Sequence, residues 1–106
     1  MWKIDRGSKI GATTAAYTDA LDWCTTELAE KTILLKNNDS AASLKYRLYG
    51  YAGKTGIAIE IIAENTLLAG EIAEMHYQRQ WHRLVLQVTN GSGEADYQVD
   101  YEGQGA

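Results

Sequence analysis

Apolar and polar residues alternate without a break near the end of the chain. Ala95, Tyr97, Val99 and Tyr101 fall on one side of an extended segment, and Glu94, Asp96, Gln98, Asp100 and Glu102 on the other. A period of two is that of a strand with one wet face. Residues 82–89 repeat the pattern, with Leu84, Leu86 and Val88 inward and Arg83 and Gln87 outward. Asn90-Gly91-Ser92-Gly93 lies between the two runs. Asn and Gly tolerate the positive φ of a tight turn, so a hairpin is predicted here. A second hairpin is predicted earlier. Residues 31–36 hold the β-prone run Thr32-Ile33-Leu34-Leu35, Asn37-Asn38-Asp39-Ser40 turns the chain, and residues 43–51 alternate again. In that last run Leu44, Tyr46 and Leu48 share one face, and Lys45, Arg47 and Tyr49 the other.

The remaining segments are less regular. Ile57, Ile59 and Ile61 stand at period two between flanking glycines and predict a strand with the three isoleucines inward. The Ala and Glu content of residues 57–80 also permits one or two helices. Residues 72–77 predict a further short strand. Residues 19–26 read as extended, with Leu21 and Trp23 on one face and Cys24 as a small buried hydrophobe. Residues 1–12 are either an arm that packs on another subunit or a first edge strand. Seven or eight short strands with turn signals every 8–12 residues predict an all-β fold, an antiparallel β-sandwich or jelly roll. The alternative is an α+β domain with helix within 57–80.

Length and charge narrow the picture. The chain has 106 residues, which suits a single domain. Ten basic and fourteen acidic residues give a formal net charge of −4, with no basic cluster for a phosphate backbone, so no nucleic-acid partner is expected. No apolar run is long enough to cross a bilayer as a helix, and the first residues do not read as a secretory signal, so no membrane partner is expected. A single cysteine, Cys24, excludes an internal disulfide. There is no Phe, but there are seven Tyr and three Trp. Such rings serve equally as core and as interface.

Candidate chemistry is sparse. His76 and His82 are the only histidines. They converge only if a turn lies between them, with Glu71 or Glu74 to complete a metal site, and two surface imidazoles beside Arg79 and Arg83 are the better account. Asn37 to Ser40 offers oxygens without the acidic spacing of a calcium loop. Glu94, Asp96, Asp100 and Glu102 form a stronger oxygen cluster, read as a solvated strand face. Gly7-Ser8-Lys9-Ile10-Gly11 lacks the Gly-Lys-Ser/Thr ending of a phosphate loop. Asn38 and Asn90 match the glycosylation sequon within expected turns. No nucleophile elbow is present, so no catalytic residue, metal or cofactor is expected and the protein reads as no enzyme. What remains is an aromatic and basic surface of Trp2, Lys45, Arg47, Tyr49, Tyr51 and Trp81, suited to packing on another subunit or stacking on sugar rings.

Four segments together resemble small β-sandwich structural proteins of viruses and prophages. They are Thr32-Ile33-Leu34-Leu35-Lys36-Asn37-Asn38-Asp39, then Leu44-Lys45-Tyr46-Arg47-Leu48-Tyr49-Gly50, then Leu67-Leu68-Ala69-Gly70-Glu71, then Trp81-His82-Arg83-Leu84-Val85-Leu86-Gln87-Val88. The likeness spans about residues 30–102 and is one of pattern. It implies a virion component of the capsid-decoration or tail-associated type. Such a protein works as a homo-oligomer docked on other virion proteins. A carbohydrate-binding module or adhesin, with a glycan as partner, is the alternative.

Overall fold

The computed structural model describes residues 3–53, 56–79 and 81–105. Every regular element among them is a strand: β1 (Ile4–Ala12), β2 (Thr18–Cys24), β3 (Glu30–Asn37), β4 (Leu44–Tyr51), β5 (Ala58–Leu67), β6 (Ile72–Tyr77), β7 (Arg83–Asn90) and β8 (Asp96–Gln104). They form two four-stranded antiparallel sheets, in the orders β1-β8-β3-β6 and β2-β7-β4-β5. This is an all-β sandwich with jelly-roll strand order. The helical alternative for 57–80 is not adopted, because that span supplies β5 and β6. Residues 4–12 are an edge strand paired with β8.

Alternation places the core between the sheets. Ile33, Leu35 and Val99 from one sheet meet Leu44, Leu48, Leu84, Leu86 and Val88 from the other, all 0% exposed. Each such side chain contributes roughly 1.5–3 kcal/mol by leaving water. β1 presents glycine at two inward positions. Gly7 pairs with Tyr101 and Gly11 with Tyr97. A Cβ on either glycine would meet the facing tyrosine ring. The edge strand thus lends its backbone as a floor for two rings of β8, and Tyr101 in turn tilts against Trp23 at 4.9 Å.

Both predicted hairpins are corrected. β3 and β4 lie in different sheets, and so do β7 and β8; every connection except β4 to β5 passes from one sheet to the other. Period-two alternation buries an apolar face equally well in either arrangement, so it does not distinguish them. The turn chemistry does. A two-residue hairpin of the Asn-Gly kind needs positive φ, yet among the described residues Gly70, at φ 80°, is the glycine that has it. Asn90-Gly91-Ser92-Gly93 instead bonds sideways. Gly91 N–H donates to Ser43 O at 3.0 Å, and Asn90 N–H donates to Thr14 O at 2.9 Å. Ser92 N–H donates to Ser43 Oγ, and Ser43 N–H donates to Ser92 Oγ, each at 2.9 Å. Three crossing corners, β1–β2, β3–β4 and β7–β8, are therefore laced together at one end of the sandwich.

Asn37 completes that end. It is 0% exposed. Its Nδ2 donates to Ala42 O at 2.9 Å and to Leu67 O at 3.1 Å, and its Oδ1 accepts Asp39 N–H at 2.9 Å. Its backbone carbonyl accepts Gly70 N–H, and its N–H donates to Glu71 O. One side chain ties the β3–β4 corner to the β5–β6 corner.

Two further expectations are corrected. Ile57 and Ile59 are 86% and 52% exposed rather than inward, while Ile61 and Ile62 are half-buried against the core. The register of β5 against β4 shifts twice, between Tyr46 and Leu48 and between Leu48 and Tyr49. Each shift adds a residue to β5, so alternation is broken around Ile61 and Ile62 and restored by Ile59. Ile59 pairs with Gly50, where the Trp81 ring and Ile61 already fill the inner space. Cys24 is exposed, because Trp23 beside it takes the inward position.

The Asn37→Ala variant strands two carbonyls and one amide N–H. A loss of about 3 kcal/mol in stability is expected, seen in urea denaturation as a lower midpoint with unchanged slope. Gly91→Ala would place a Cβ 2.6 Å from Ser43 O, whereas Gly93→Ala meets ordinary contact at 3.8 Å. The first is expected to lose about 1–3 kcal/mol and the second less than about 0.5 kcal/mol in the same assay.

Candidate functional site

β4 is the third strand of its sheet, so its outward residues are flanked on both sides. Lys45, Arg47, Tyr49 and Tyr51 take successive outward positions and are all half-buried. β7 sets Thr89, Gln87, Val85 and Arg83 opposite them. The structure brings these four together as one stripe. Trp81 does not join it. It is 6% exposed and sits in the core cluster, with its ring carbons 2.8 Å from where a Cβ on Gly50 would lie. The absence of a side chain on Gly50 opens that space, which sequence spacing does not reveal. Trp2 lies outside the described residues.

Arg47 is the centre of the stripe. Its guanidinium carbon stands 3.7 Å above the Tyr17 ring and 5.2 Å from the Tyr49 ring. Its Nε donates to Gln87 Oε1 at 2.8 Å, and Gln87 Nε2 donates to Asp19 Oδ1 at 2.9 Å. Tyr17 O–H donates to Glu64 Oε1 at 2.6 Å, and Tyr49 O–H donates to Glu60 Oε2 at 3.3 Å. Farther along, Arg83 lies 4.2 Å above the Tyr51 ring. Its Nε stands 3.1 Å from Asp22 Oδ1, an ion pair by distance in which the N–H is not aimed at the carboxylate. Exposed cation–ring pairs of this kind contribute about 0.5–1 kcal/mol each. Tyr17, Asp19, Gln87 and Glu64 are members that sequence reasoning missed. They come from three strands and a connection, and only the register of β2, β7, β4 and β5 unites them.

Burial, then the Glu64 hydrogen bond and charge, raise the Tyr17 phenol to about 12. The group is a fixed donor near neutral pH and not an acid catalyst. Nothing in the stripe pairs a nucleophile with a base.

The two histidines do not converge. His76 is on β6 and His82 precedes β7, in opposite sheets. Each sets its Nδ1 2.8 Å from a threonine hydroxyl, Thr32 and Thr26 respectively. Among the described residues no group of three His, Cys, Asp or Glu is placed to hold a metal ion. The Thr26 hydroxyl also lies 3.5 Å from Cys24 Sγ, and this contact holds the thiol below its ordinary pKa.

No protein-family model and no curated protein matches the chain. Solved structures do. A chain from the disulfide-linked pili of Bacillus endospore appendages is similar at TM-score 0.63 and 10% identity, over 99% of this chain and 89% of that one. The SPBc2 prophage-derived protein YomS is similar at TM-score 0.60 and 12% identity, over 96% and 95%. A chain in the structure of infectious bursal disease virus, Gx strain, is similar at TM-score 0.52 and 12% identity, over 98% of this chain but 31% of that one. The likeness to viral and prophage structural proteins is one of fold.

Replacing Glu64 by Gln keeps an acceptor for the Tyr17 hydroxyl and removes the charge. The Tyr17 pKa is expected to fall from about 12 toward 10.0, read by NMR titration of ring-labelled tyrosine.

Proposed function

We propose that the chain is a non-enzymatic structural subunit of a virion, of the capsid-decoration or tail-associated type. It works by self-association and docking on a larger assembly. One observation carries the reading. Four of the six large exposed apolar residues among the described residues, Ile57, Ile59, Leu68 and Ile72, lie in or beside β5 and β6. Those two strands are the edges of the two sheets on one flank of the sandwich. An edge strand offers unpaired N–H and C=O groups, and soluble proteins usually guard it with charge or proline. This flank carries exposed isoleucines beside Glu60, Glu64 and Glu74, and the sequence has no proline at all.

The mechanism is geometric. A sandwich whose corners are tied together presents its flank and its Lys45–Tyr51 stripe in a constant relation. Repetition over many copies then converts weak contacts into avidity. The fold shared with the pilus, prophage and virus chains supports a structural or binding role of this kind. A sugar platform made of Tyr49, Tyr51 and Trp81 is less well supported, since Trp81 is in the core and Arg83 covers Tyr51.

Multi-angle light scattering over a range of concentrations tests the reading. The expected result is a mass that rises to a discrete multiple of the monomer. It should fall back to the monomer in an Ile59→Asp/Ile72→Asp variant that keeps its circular dichroism. A strict monomer at high concentration, or an oligomer indifferent to both aspartates, overturns it.

A further inference from the structure

The opposite face of the molecule carries a second feature. The outward side of β1, β8 and β3 carries a shallow, open hollow of about 550 Å³. Its walls are set by register. Arg6 pairs with Glu102, which faces Thr32; Ser8 pairs with Asp100, which faces Leu34. Two rows of side chains therefore cross three strands, with the two carboxylates in the middle. The size is within the range of small-molecule sites, about 300–1,000 Å³.

The chemistry of the walls is mixed, which distinguishes the hollow from a plain acidic cluster. Ser8 Oγ donates to Asp100 Oδ1 at 2.6 Å, and Gln98 Nε2 donates to the same oxygen at 3.1 Å. Both bonds use Oδ1, so Oδ2 stays available as an acceptor. The same two bonds hold the Asp100 carboxyl below its ordinary pKa, so it remains ionised at neutral pH. Glu102 Oε1 lies 3.6 Å from Arg6 Nε, which leaves the terminal nitrogens of Arg6 free to donate. The Thr32 hydroxyl is oriented by His76 at 2.8 Å. Leu34 is half-buried and gives the hollow an apolar wall.

We propose that this hollow binds a neutral sugar unit, with its hydroxyls held by Arg6, Asp100, Glu102 and Thr32 and one C–H face against Leu34. Anions, metal ions and apolar ligands each fit less well, on stated grounds. One arginine against two carboxylates leaves the walls net negative, which repels phosphate, sulfate and acidic sugars. The described residues hold no three-ligand group for a metal ion. An apolar ligand would strand the carboxylates and the guanidinium, whereas vicinal hydroxyls both donate and accept and satisfy all three. The proposal stands apart from the assembly reading, because it uses neither the β5–β6 flank nor the Lys45–Tyr51 stripe.

The test is a titration of the ¹⁵N-labelled full chain, followed by amide shifts. The probes are the methyl glycosides of glucose, galactose, mannose and N-acetylglucosamine, and linear oligomers of each. At least one series is expected to give saturable shifts at Ser8, Thr32, Leu34 and Asp100. Glu102→Gln and Ser8→Ala each alter one exposed group and are checked for folding by circular dichroism. Each is expected to weaken that binding about tenfold. Saturable shifts that are unchanged in both variants, or that map to the Lys45–Tyr51 stripe, overturn the proposal. So does the absence of saturation with every probe.

Discussion

The crossing corners are the constraint on which the sandwich depends. A chain that passes from sheet to sheet at nearly every turn must pair the backbone groups of those turns with something other than a neighbouring strand. At one end of this molecule Asn37 meets that need from a fully buried position, with every polar atom of its side chain engaged. The reciprocal bonds of Ser43 and Ser92 meet it beside the same corner. Without them the two sheets would still have apolar faces. They would lack what holds one face in register over the other.

Lys31 shows how far the inward face is dictated by alternation. It takes an inward position of β3 and is 0% exposed. Among the described residues no carboxylate answers it. Its Nζ donates to Leu28 O at 2.9 Å and Ala29 O at 3.3 Å, and burial pulls its pKa down. The lowered value makes the charge itself a cost of folding near neutral pH, in the window below the ordinary lysine value. Two carbonyls of the β2–β3 connection gain donors in exchange. The polar end of a long side chain thus does at this corner what Asn37 does at the other.

The two outer faces are built on different principles. On the β2-β7-β4-β5 sheet, Arg47 and Arg83 lie over tyrosine rings and fill the surface with stacked, mutually bonded groups. On the β1-β8-β3-β6 sheet, short side chains and paired carboxylates leave a hollow. The first face is suited to another flat surface. The second is suited to a small polar molecule. The two faces point away from each other, so a contact on one leaves the other open.

Much of this was legible from residue order. Alternation placed Leu44, Tyr46, Leu48, Leu84, Leu86, Val88, Tyr97 and Val99 inward, and it set Lys45, Arg47 and Tyr49 on a common outer face. These follow from the period of a strand, which is a local property. The pairing of strands was not legible, because a hairpin and a crossing corner bury the same apolar set. Ile59 stands opposite Gly50, but the Trp81 ring and Ile61 fill the space over that glycine, and only the partner strands reveal this. Trp81 went inward because Gly50 on a neighbouring strand left room for its ring. The sequence by itself determined the wet side of the regularly alternating strands β4, β7 and β8, since that needs only a residue and its neighbours in the chain. Tertiary structure alone decided which strands lie side by side, and hence the Arg47 cluster and the hollow beside Asp100, since both are made of residues far apart along the chain.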